Sequence, residues 1–236
     1  VGSEMCIRDR AYVIMIILIW IPMARRKSLA FLDVGQGDCF VADTKSGAII
    51  FDGGSSSEDQ VGRYRILPYM KYLGYQKIQI AVISHMDIDH YSGIKELLEM
   101  GKIKYLGLPE IPKDETMKKI IGIAKKRGTT IFYLSRGRQI TTKDGSLKVL
   151  HPQKNSQMEK NAASLVMQGK ILGYRVLLTG DVEKEGEEEL LSEELERADI
   201  LKAAHHGSKN STSNEFLQKV QPKQTVISCG KQNRYG

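Results

Sequence analysis

The sequence predicts an α+β sandwich, an αββα order in which two mixed β-sheets pack face to face and helices cover their outer faces. Three observations lead to this fold class. Short runs rich in β-branched and aromatic residues end in glycine or polar loops, amphipathic helical stretches separate them, and the second half of the chain repeats the order of the first. With 236 residues, of which 41% are hydrophobic, the chain can bury the cores that such a sandwich needs.

In the first half, three predicted strands each end in a loop that suits a ligand: LAFLDVG, GAIIFDGG and IQIAVISH. Apolar residues at helical spacing predict a helix over residues 60–72 and a second over residues 92–99. The second half supplies six or seven more strand candidates, with helices over residues 116–127 and 182–197. The glutamate-rich face of the last helix is predicted to be solvated.

The start of the chain is predicted to lie outside this sandwich. Residues 1–10, VGSEMCIRDR, resemble a translated sequencing adapter, so they are left out of the fold prediction. Residues 11–27 hold the apolar run AYVIMIILIWIPM and then the basic Arg25, Arg26 and Lys27. Because the run is too short to span a bilayer and its charges follow it, we expect the end of a truncated transmembrane helix with a basic anchor. A buried segment of the soluble domain is the alternative, and residues 28–236 are the expected folded domain.

Charge and cysteine content narrow the function only slightly. The formal net charge of +7 favours a polyanionic partner without identifying one. The three cysteines, Cys6, Cys39 and Cys229, are widely scattered and form no CxxC pair. Neither a disulfide framework nor a thiolate zinc site is therefore predicted.

The segment ISHMDIDHYSG carries the strongest chemical signal in the chain. It places His85, Asp87, Asp89 and His90 within six residues, on the loop that closes a predicted strand and opens a helix. Imidazoles and carboxylates at this density are typical of metal sites, and alternate side chains can converge on the same ions. We predict a metal centre at this loop.

Four motifs in order resemble those of the metallo-β-lactamase superfamily. HxDxDH is similar to the family's HxHxDH signature, with Asp87 where the second histidine usually stands. Asp52 in IIFDGG, Asp181 in LLTGD and the histidine pair of LKAAHHGS resemble the other three motifs. The resemblance implies the metallo-β-lactamase fold and six metal ligands: His85, Asp87, Asp89, His90, Asp181 and His205.

The resemblance also implies a mechanism. Two divalent ions, Mn²⁺ or Zn²⁺ with Mg²⁺ as a further candidate, would share a water and be bridged by Asp181, which lowers the pKa of that water. Asp89 and Asp181 then act in catalysis as ligands, and His206 contacts phosphate or protonates the leaving oxygen. One common ligand is missing, because only His151 lies between the cluster and Asp181, and a loop position or a role in supporting the ligands is favoured for it. The carboxylate-rich site favours harder ions.

Nine further residues are expected around the ligands. Asp33, Gln36 and Asp38 of DVGQGD are predicted to fix the floor of the site, and Lys202 is a candidate phosphate contact. Gly207 and Ser208 allow backbone amides to approach an anion. The complete predicted set for substrate binding or support of the ligands is Asp33, Gln36, Asp38, Asp52, Asn161, Ser164, Lys202, Gly207 and Ser208.

FLDVGQGDCF, NAASLV and LKAAHHGSKNSTS together resemble the C-terminal domain of ComEC-type DNA-uptake channels, which follows a transmembrane region. The likeness covers the chain from about Leu29 to the end, and the family pattern continues beyond it into a His-Pro pair, so a C-terminal truncation is expected. The resemblance implies single-stranded DNA, the membrane and other DNA-uptake proteins as partners, with the side of the membrane left open.

Three functions follow. The first is a metal-dependent phosphodiesterase that degrades DNA during natural transformation. The second is a hydrolase of small phosphodiesters or phosphocholine-like head groups. The third is a non-catalytic part of the channel that binds or gates DNA. Salt dependence separates the first two, because binding to a nucleic-acid polymer weakens steeply with added salt.

Overall fold

Side chains along a strand point alternately to the two faces of its sheet, so they enter two different cores. In the computed structural model, which describes residues 8–15, 27–158 and 161–231, Ile49 and Phe51 of one strand face the opposite sheet. Ala48 and Ile50 of the same strand face the helices. Successive side chains of a strand point to opposite faces, so a strand that is apolar on both faces must be covered on both.

Two six-stranded sheets result. The first has the order β1-β2-β3-β4-β5-β6, antiparallel up to β3 and parallel from β3 to β6. Its strands are β1 (Leu29–Phe31), β2 (Phe40–Thr44), β3 (Gly47–Phe51), β4 (Ile78–Val82), β5 (Ile103–Pro109) and β6 (Thr130–Leu134).

The second sheet has the order β12-β11-β10-β9-β8-β7, antiparallel from β7 to β10 and parallel from β10 to β12. Its strands are β7 (Gln139–Thr142), β8 (Gly145–His151), β9 (Val166–Ile171), β10 (Tyr174–Leu178), β11 (Ile200–Lys202) and β12 (Gln224–Val226).

Helices cover both outer faces. The first sheet carries α1 (Leu67–Tyr72), preceded by a π-helical turn at Gly62–Ile66, then α2 (Ile88–Glu99) and α3 (Glu115–Lys126). The second carries α4 (Lys184–Leu191) and α5 (Asn214–Val220). One apolar core lies between the sheets and one lies under each helical layer, so the predicted αββα sandwich is confirmed.

Some details differ from the prediction. The strand at Phe40–Thr44 was not predicted separately, because its polar Asp43 and Thr44 are buried through hydrogen bonds rather than by hydrophobicity. The strand at Gln139–Thr142 was not predicted either.

The helices also differ in their bounds. The helix predicted over 92–99 begins at Ile88, so Asp89 and His90 lie in its first turn and not on the loop before it. The helix predicted over 182–197 covers only Lys184–Leu191. It ends where the Ser192 hydroxyl bonds the Glu189 carbonyl, and Glu193 pairs instead with Arg136 of the loop between β6 and β7.

The N-terminal predictions fall largely outside the described residues. Residues 1–7 and 16–26 are not described, whereas residues 8–15 are helical. Among the residues that the structure describes, no helix combines the length and apolar character needed to cross a membrane.

Candidate metal centre

Residues predicted for the site gather where strands of both sheets reach their carboxyl ends. Asp52 follows β3, His85 follows β4, Asp181 follows β10, and His206 comes shortly after β11. Each of these strands has a parallel neighbour in its sheet. Loops after parallel strands leave the sheet on the same edge, which is where α/β proteins place their ligands.

Two glycines let three loops of the first sheet pack backbone to backbone. A Cβ at Gly37 would lie 2.6 Å from the Asp89 carbonyl oxygen, and one at Gly54 would lie 2.6 Å from the His90 amide nitrogen. The Asp38 amide donates to the Asp89 carbonyl at 3.1 Å, and the Gly53 amide donates to the His90 carbonyl at 2.9 Å. Glycine is therefore required by contact distance, and these bonds fix the start of α2.

The second sheet joins the same site through a direct contact. The Leu165 amide donates to the Ser84 carbonyl at 3.0 Å, linking the loop before β9 to the loop after β4. Gly180 has a φ of +51°, and a Cβ there would lie 2.9 Å from the Ser84 hydroxyl. This left-handed glycine allows Asp181 to approach the His85 loop.

Ligand atoms of three residues lie close together, and a carboxylate lies beside them. Asp181 Oδ2 lies 3.1 Å from His90 Nε2 and 3.5 Å from His206 Nε2. His206 Nε2 lies 3.2 Å from Asp89 Oδ2. Bonds of about 2.0–2.2 Å in tetrahedral geometry place ligand atoms roughly 3.4 Å apart. The spacing of His90, Asp181 and His206 therefore fits one divalent cation, with Asp89 beside His206 as a further candidate ligand.

The far nitrogens of both imidazoles are held as metal-binding histidines require. His90 Nδ1 lies 3.0 Å from Asp52 Oδ2, and Asp52 Oδ1 accepts the Ser84 amide at 2.7 Å. His206 Nδ1 donates to the Ser228 carbonyl at 2.8 Å. Such bonds fix the tautomer and aim Nε2 at the metal.

Asp181, His90 and His206 also influence the pKa values of one another or of their neighbours. Burial disfavours the Asp181 carboxylate, but His90 and Lys202 together outweigh burial and hold the pKa of Asp181 well below its usual range. Burial also disfavours a charged His90, yet Asp181 and Asp52 raise the pKa of His90 well above its ordinary value. The pKa of His206 is raised despite burial because it bonds Asp89. Metal binding at these imidazoles must therefore release protons.

A buried lysine lies behind the cluster. The Lys202 ammonium contacts Asp38, lies 3.4 Å from Asp181 Oδ1 and donates to the Gly180 carbonyl at 3.0 Å. Its side chain is 5% exposed. Burial lowers the pKa of Lys202, but Asp38 and Asp181 more than offset this and raise it above its ordinary value. Lys202 is thus an internal counter-ion, and this differs from the phosphate contact expected of it.

The His85 side of the site is less complete. His85 Nδ1 lies 3.0 Å from the Ser84 hydroxyl, and its buried Nε2 has no hydrogen-bond partner. Asp87 Oδ2 lies 3.7 Å from that nitrogen, with a side chain 35% exposed. Burial, reinforced by His90, lowers the pKa of His85 to about 4. The neutral ring and its unsatisfied nitrogen suit metal ligation.

Close grouping of ligand atoms is confined to one place. In the described ranges, a set of three or more histidine, cysteine or carboxylate ligand atoms within 4.8 Å of one another occurs only once. That set consists of Asp38, His90, Asp181 and His206. Asp38 had been expected to support the ligands; its carboxylate lies within this set and contacts Lys202.

The two consecutive histidines take different positions from those expected. His206 lies in the cluster, whereas His205 Nε2 lies 3.9 Å from Asp181 Oδ2 and its Nδ1 bonds Glu183 at 2.6 Å. His205 and His206 have φ values of 46° and 52°, a left-handed turn that aims adjacent side chains in different directions. Left-handed non-glycine residues are strained and cluster at functional sites.

The other predicted residues surround the centre without entering it. Asp33 is exposed and accepts the Gly35 amide at 3.1 Å. The Gln36 amide oxygen accepts the Gly230 amide at 3.0 Å, which ties the DVGQGD loop to the segment after β12. Gly207 has a φ of +82° in the histidine turn, and the Ser208 amide closes that turn on the His205 carbonyl at 2.8 Å.

The NAASLV segment supports Asp181 rather than supplying a ligand atom. The Asp181 amide lies 3.3 Å from the Ser164 hydroxyl, and the Asn161 carbonyl accepts the Ser164 amide at 3.0 Å. His151 is buried, with Nδ1 donating to the Ser164 carbonyl at 2.9 Å and Nε2 3.8 Å from Glu189. His151 therefore ends β8 rather than lying in a loop, and it contacts the segment that holds Asp181.

Sequence reasoning missed Glu183, which bonds His205. Glu183 begins the glutamate-rich stretch that was interpreted as a solvated face. Glu187 of the same stretch is buried and accepts the amides of Thr212 and Ser213. Glu183 comes two residues after the predicted ligand Asp181, and this position could have indicated that it lies near the site.

Comparison with known proteins agrees with this geometry. The family model for the metallo-beta-lactamase superfamily matches residues 32–231. ComE operon protein 3 of Bacillus subtilis (strain 168) is 35% identical over 242 residues, covering 94% of this chain and 31% of the relative. Competence protein ComA of Neisseria gonorrhoeae is 29% identical over 213 residues, covering 86% of this chain and 27% of the relative. The chain thus spans less than a third of these relatives.

Solved structures share the fold. The metallo-beta-lactamase fold protein YhfI from Bacillus subtilis superposes with a TM-score of 0.58 at 14% identity, covering 87% of this chain and 88% of that one. Proteins of this fold bind divalent metals, and the donor set described above fits such an ion. The chain belongs to the metallo-beta-lactamase superfamily.

Proposed function

We propose that this chain is a metal-dependent phosphodiesterase that cleaves DNA within a membrane-associated DNA-uptake system. The observation that carries the proposal is the close grouping of His90, Asp181 and His206, which come from both sheets, with Asp89 beside His206. These residues would hold a divalent cation, Mn²⁺ or Zn²⁺, which would supply an activated water as nucleophile near neutral pH.

The surrounding residues keep the ligands in place. Asp52 and the Ser228 carbonyl hold the far nitrogens of His90 and His206. Hydrogen bonds of this kind make metal ligands rigid and more basic. The Ser164 hydroxyl bonds the Asp181 amide and keeps that carboxylate at the junction of the sheets.

His205 takes the role of contacting phosphate or protonating the leaving oxygen. Its side chain is 23% exposed, and Glu183 accepts a hydrogen bond from its Nδ1 at 2.6 Å. This bond leaves Nε2 on the side of Asp181, at 3.9 Å from Oδ2. An imidazole fixed beside the ligands but open to solvent is suited to proton transfer with a bound substrate.

DNA is proposed as the substrate on two grounds. The relatives named above are a ComE operon protein and a competence protein, and the chain carries a net charge of +7. A basic protein attracts polyanions and loses affinity for them as salt rises. Membrane association and contacts with other uptake proteins belong to the same proposal.

The test uses the complete chain, freed of metal with EDTA. It is incubated with a labelled single-stranded oligonucleotide and Mn²⁺, Zn²⁺, Mg²⁺ or chelator. We expect cleavage with at least one metal, none with chelator, and a loss of about 100-fold or more in Asp181→Ala, beyond the loss typical of residues that support ligands. Glu99→Ala, which removes an exposed carboxylate near the end of α2, is the matched control and should keep the wild-type rate.

Two outcomes would overturn the proposal in different ways. Equal background rates in wild type and Asp181→Ala with every metal would leave a non-catalytic DNA-binding domain. Hydrolysis of bis(p-nitrophenyl) phosphate without hydrolysis of DNA, and without salt dependence, would indicate a small-molecule phosphodiesterase.

A further inference from the structure

The metal ligands alone do not explain why the lysine of this centre is buried. A lysine is almost never fully buried unless its charge is paired. Lys202 is 4% exposed, and its ammonium contacts Asp38 and Asp181 while donating to the Gly180 carbonyl at 3.0 Å. It is placed there by β11, between the two parallel strands β10 and β12.

Lys202 divides the Asp181 carboxylate between two positive partners. Oδ2 faces the imidazoles of His90 and His206 at 3.1 and 3.5 Å. Oδ1 faces the Lys202 ammonium at 3.4 Å. Only one oxygen of this carboxylate is therefore free of the lysine.

The other side of the centre offers few ligands for a second ion. His85 and Asp87 are the candidates on that side, and their ligand atoms are 3.7 Å apart. Neither belongs to the set of closely grouped ligand atoms found in the described residues. Catalytic metal sites commonly have three protein ligands, so a second ion here would depend on sharing Asp181.

We infer that Lys202 acts as a built-in cation, which neutralises Asp38 and the Oδ1 side of Asp181 and limits the centre to one tightly bound metal ion. This inference rests on the metal site of the proposed function and replaces the two-ion arrangement implied by the family resemblance. Lys202 is a positioning residue, since it acts through Asp181 and Asp38. A buried carboxylate pair without it would require another cation.

The test measures how many ions bind. The metal-free chain is titrated with Mn²⁺ in equilibrium dialysis, bound metal is measured by mass spectrometry, and the bound Mn²⁺ is examined by electron paramagnetic resonance. We expect one Mn²⁺ per wild-type chain, with the six-line spectrum of an isolated ion. Two ions per chain with a spin-coupled spectrum would overturn the inference, because paired catalytic ions lie roughly 3.5–4 Å apart. Binding of no ion would overturn it as well.

Variants test the lysine itself. In Lys202→Met, the freed carboxylates should accept a second Mn²⁺, raising the stoichiometry from one towards two, whereas Lys202→Arg should keep one. An unchanged stoichiometry and affinity in Lys202→Met would overturn the role of the lysine. If Lys202→Met does not fold, the double variant Lys202→Met with Asp38→Asn removes both charges, and it should fold and bind one ion. Binding of two ions by the double variant would contradict the inference that Lys202 compensates the charge of Asp38.

The outcome is separable from that of the proposed function. One bound Mn²⁺ without DNA hydrolysis would remove the proposed function and leave this inference standing. Two bound ions with DNA hydrolysis would do the reverse.

Discussion

The His90 side and the His85 side of the centre come from one six-residue motif but differ in how many ring nitrogens have a partner. Both nitrogens of His90 face carboxylates, at 3.0 Å from Asp52 and 3.1 Å from Asp181. Only one nitrogen of His85 has a hydrogen-bond partner, the Ser84 hydroxyl.

This contrast indicates that rigidity at this centre comes from contacts between the two sheets. The ligand atoms near His90 come from α2, from the loop after β10 and from the turn after β11. On the other side, His85 Nε2 has Asp87 of the same loop within 4 Å, and the Asp87 side chain is partly exposed. We therefore expect substitutions on the two sides to have unequal effects on metal binding.

The largest effect is expected at the histidine pair. His206→Ala removes a nitrogen within 3.5 Å of both Asp89 and Asp181. It should weaken Mn²⁺ binding by at least the 10–100-fold seen when a supporting partner is lost. His205→Ala, its matched control, should weaken binding by less than about tenfold. Isothermal titration calorimetry measures both, and the opposite ranking would show that His205 is the ligand.

Asp52→Asn should have an intermediate effect. Asp52 positions His90 through Nδ1 and accepts the Ser84 amide, so we expect affinity for Mn²⁺ to fall by about 10–100-fold. The control is Asp43→Asn, which alters another buried carboxylate of the first sheet, bonded to Tyr75. Asp43→Asn should lower the melting temperature without changing metal affinity. Equal affinities in the two variants would mean that Asp52 does not orient His90.

The smallest effect is expected at His85. Because its Nε2 has Asp87 as its nearest charged partner, at 3.7 Å, His85→Ala should weaken the tightly bound Mn²⁺ by less than about tenfold, below most losses of supporting partners. Saturating Mn²⁺ should still raise the melting temperature of this variant, since a ligand that binds only the folded state stabilises it. A complete loss of that increase would place His85 among the ligands of the tight site and remove the difference between the sides.

Much of the fold was predictable because it depends on local patterns. Nearly continuous apolar runs in GAIIF and IQIAV indicate strands covered on both faces, and apolar residues at helical spacing predicted the helices. The helix predicted over residues 116–127 is observed at Glu115–Lys126, where Asp114 accepts the Met117 amide at 2.7 Å as N-cap. Helix α4 was predicted too long because its end depends on Arg136, which is distant in sequence.

The sandwich of two mixed sheets and the strand ends that carry its chemistry can be derived from the order of residues, because both follow from short-range periodicity and from turn residues. Three features required the folded chain: which histidine of the pair faces Asp181, the burial of Lys202 against Asp38, and the bond from His205 to Glu183. These choices depend on a left-handed turn and on contacts between residues far apart in the chain. A pattern of residue types does not encode the direction of a side chain, whereas backbone conformation and packing do.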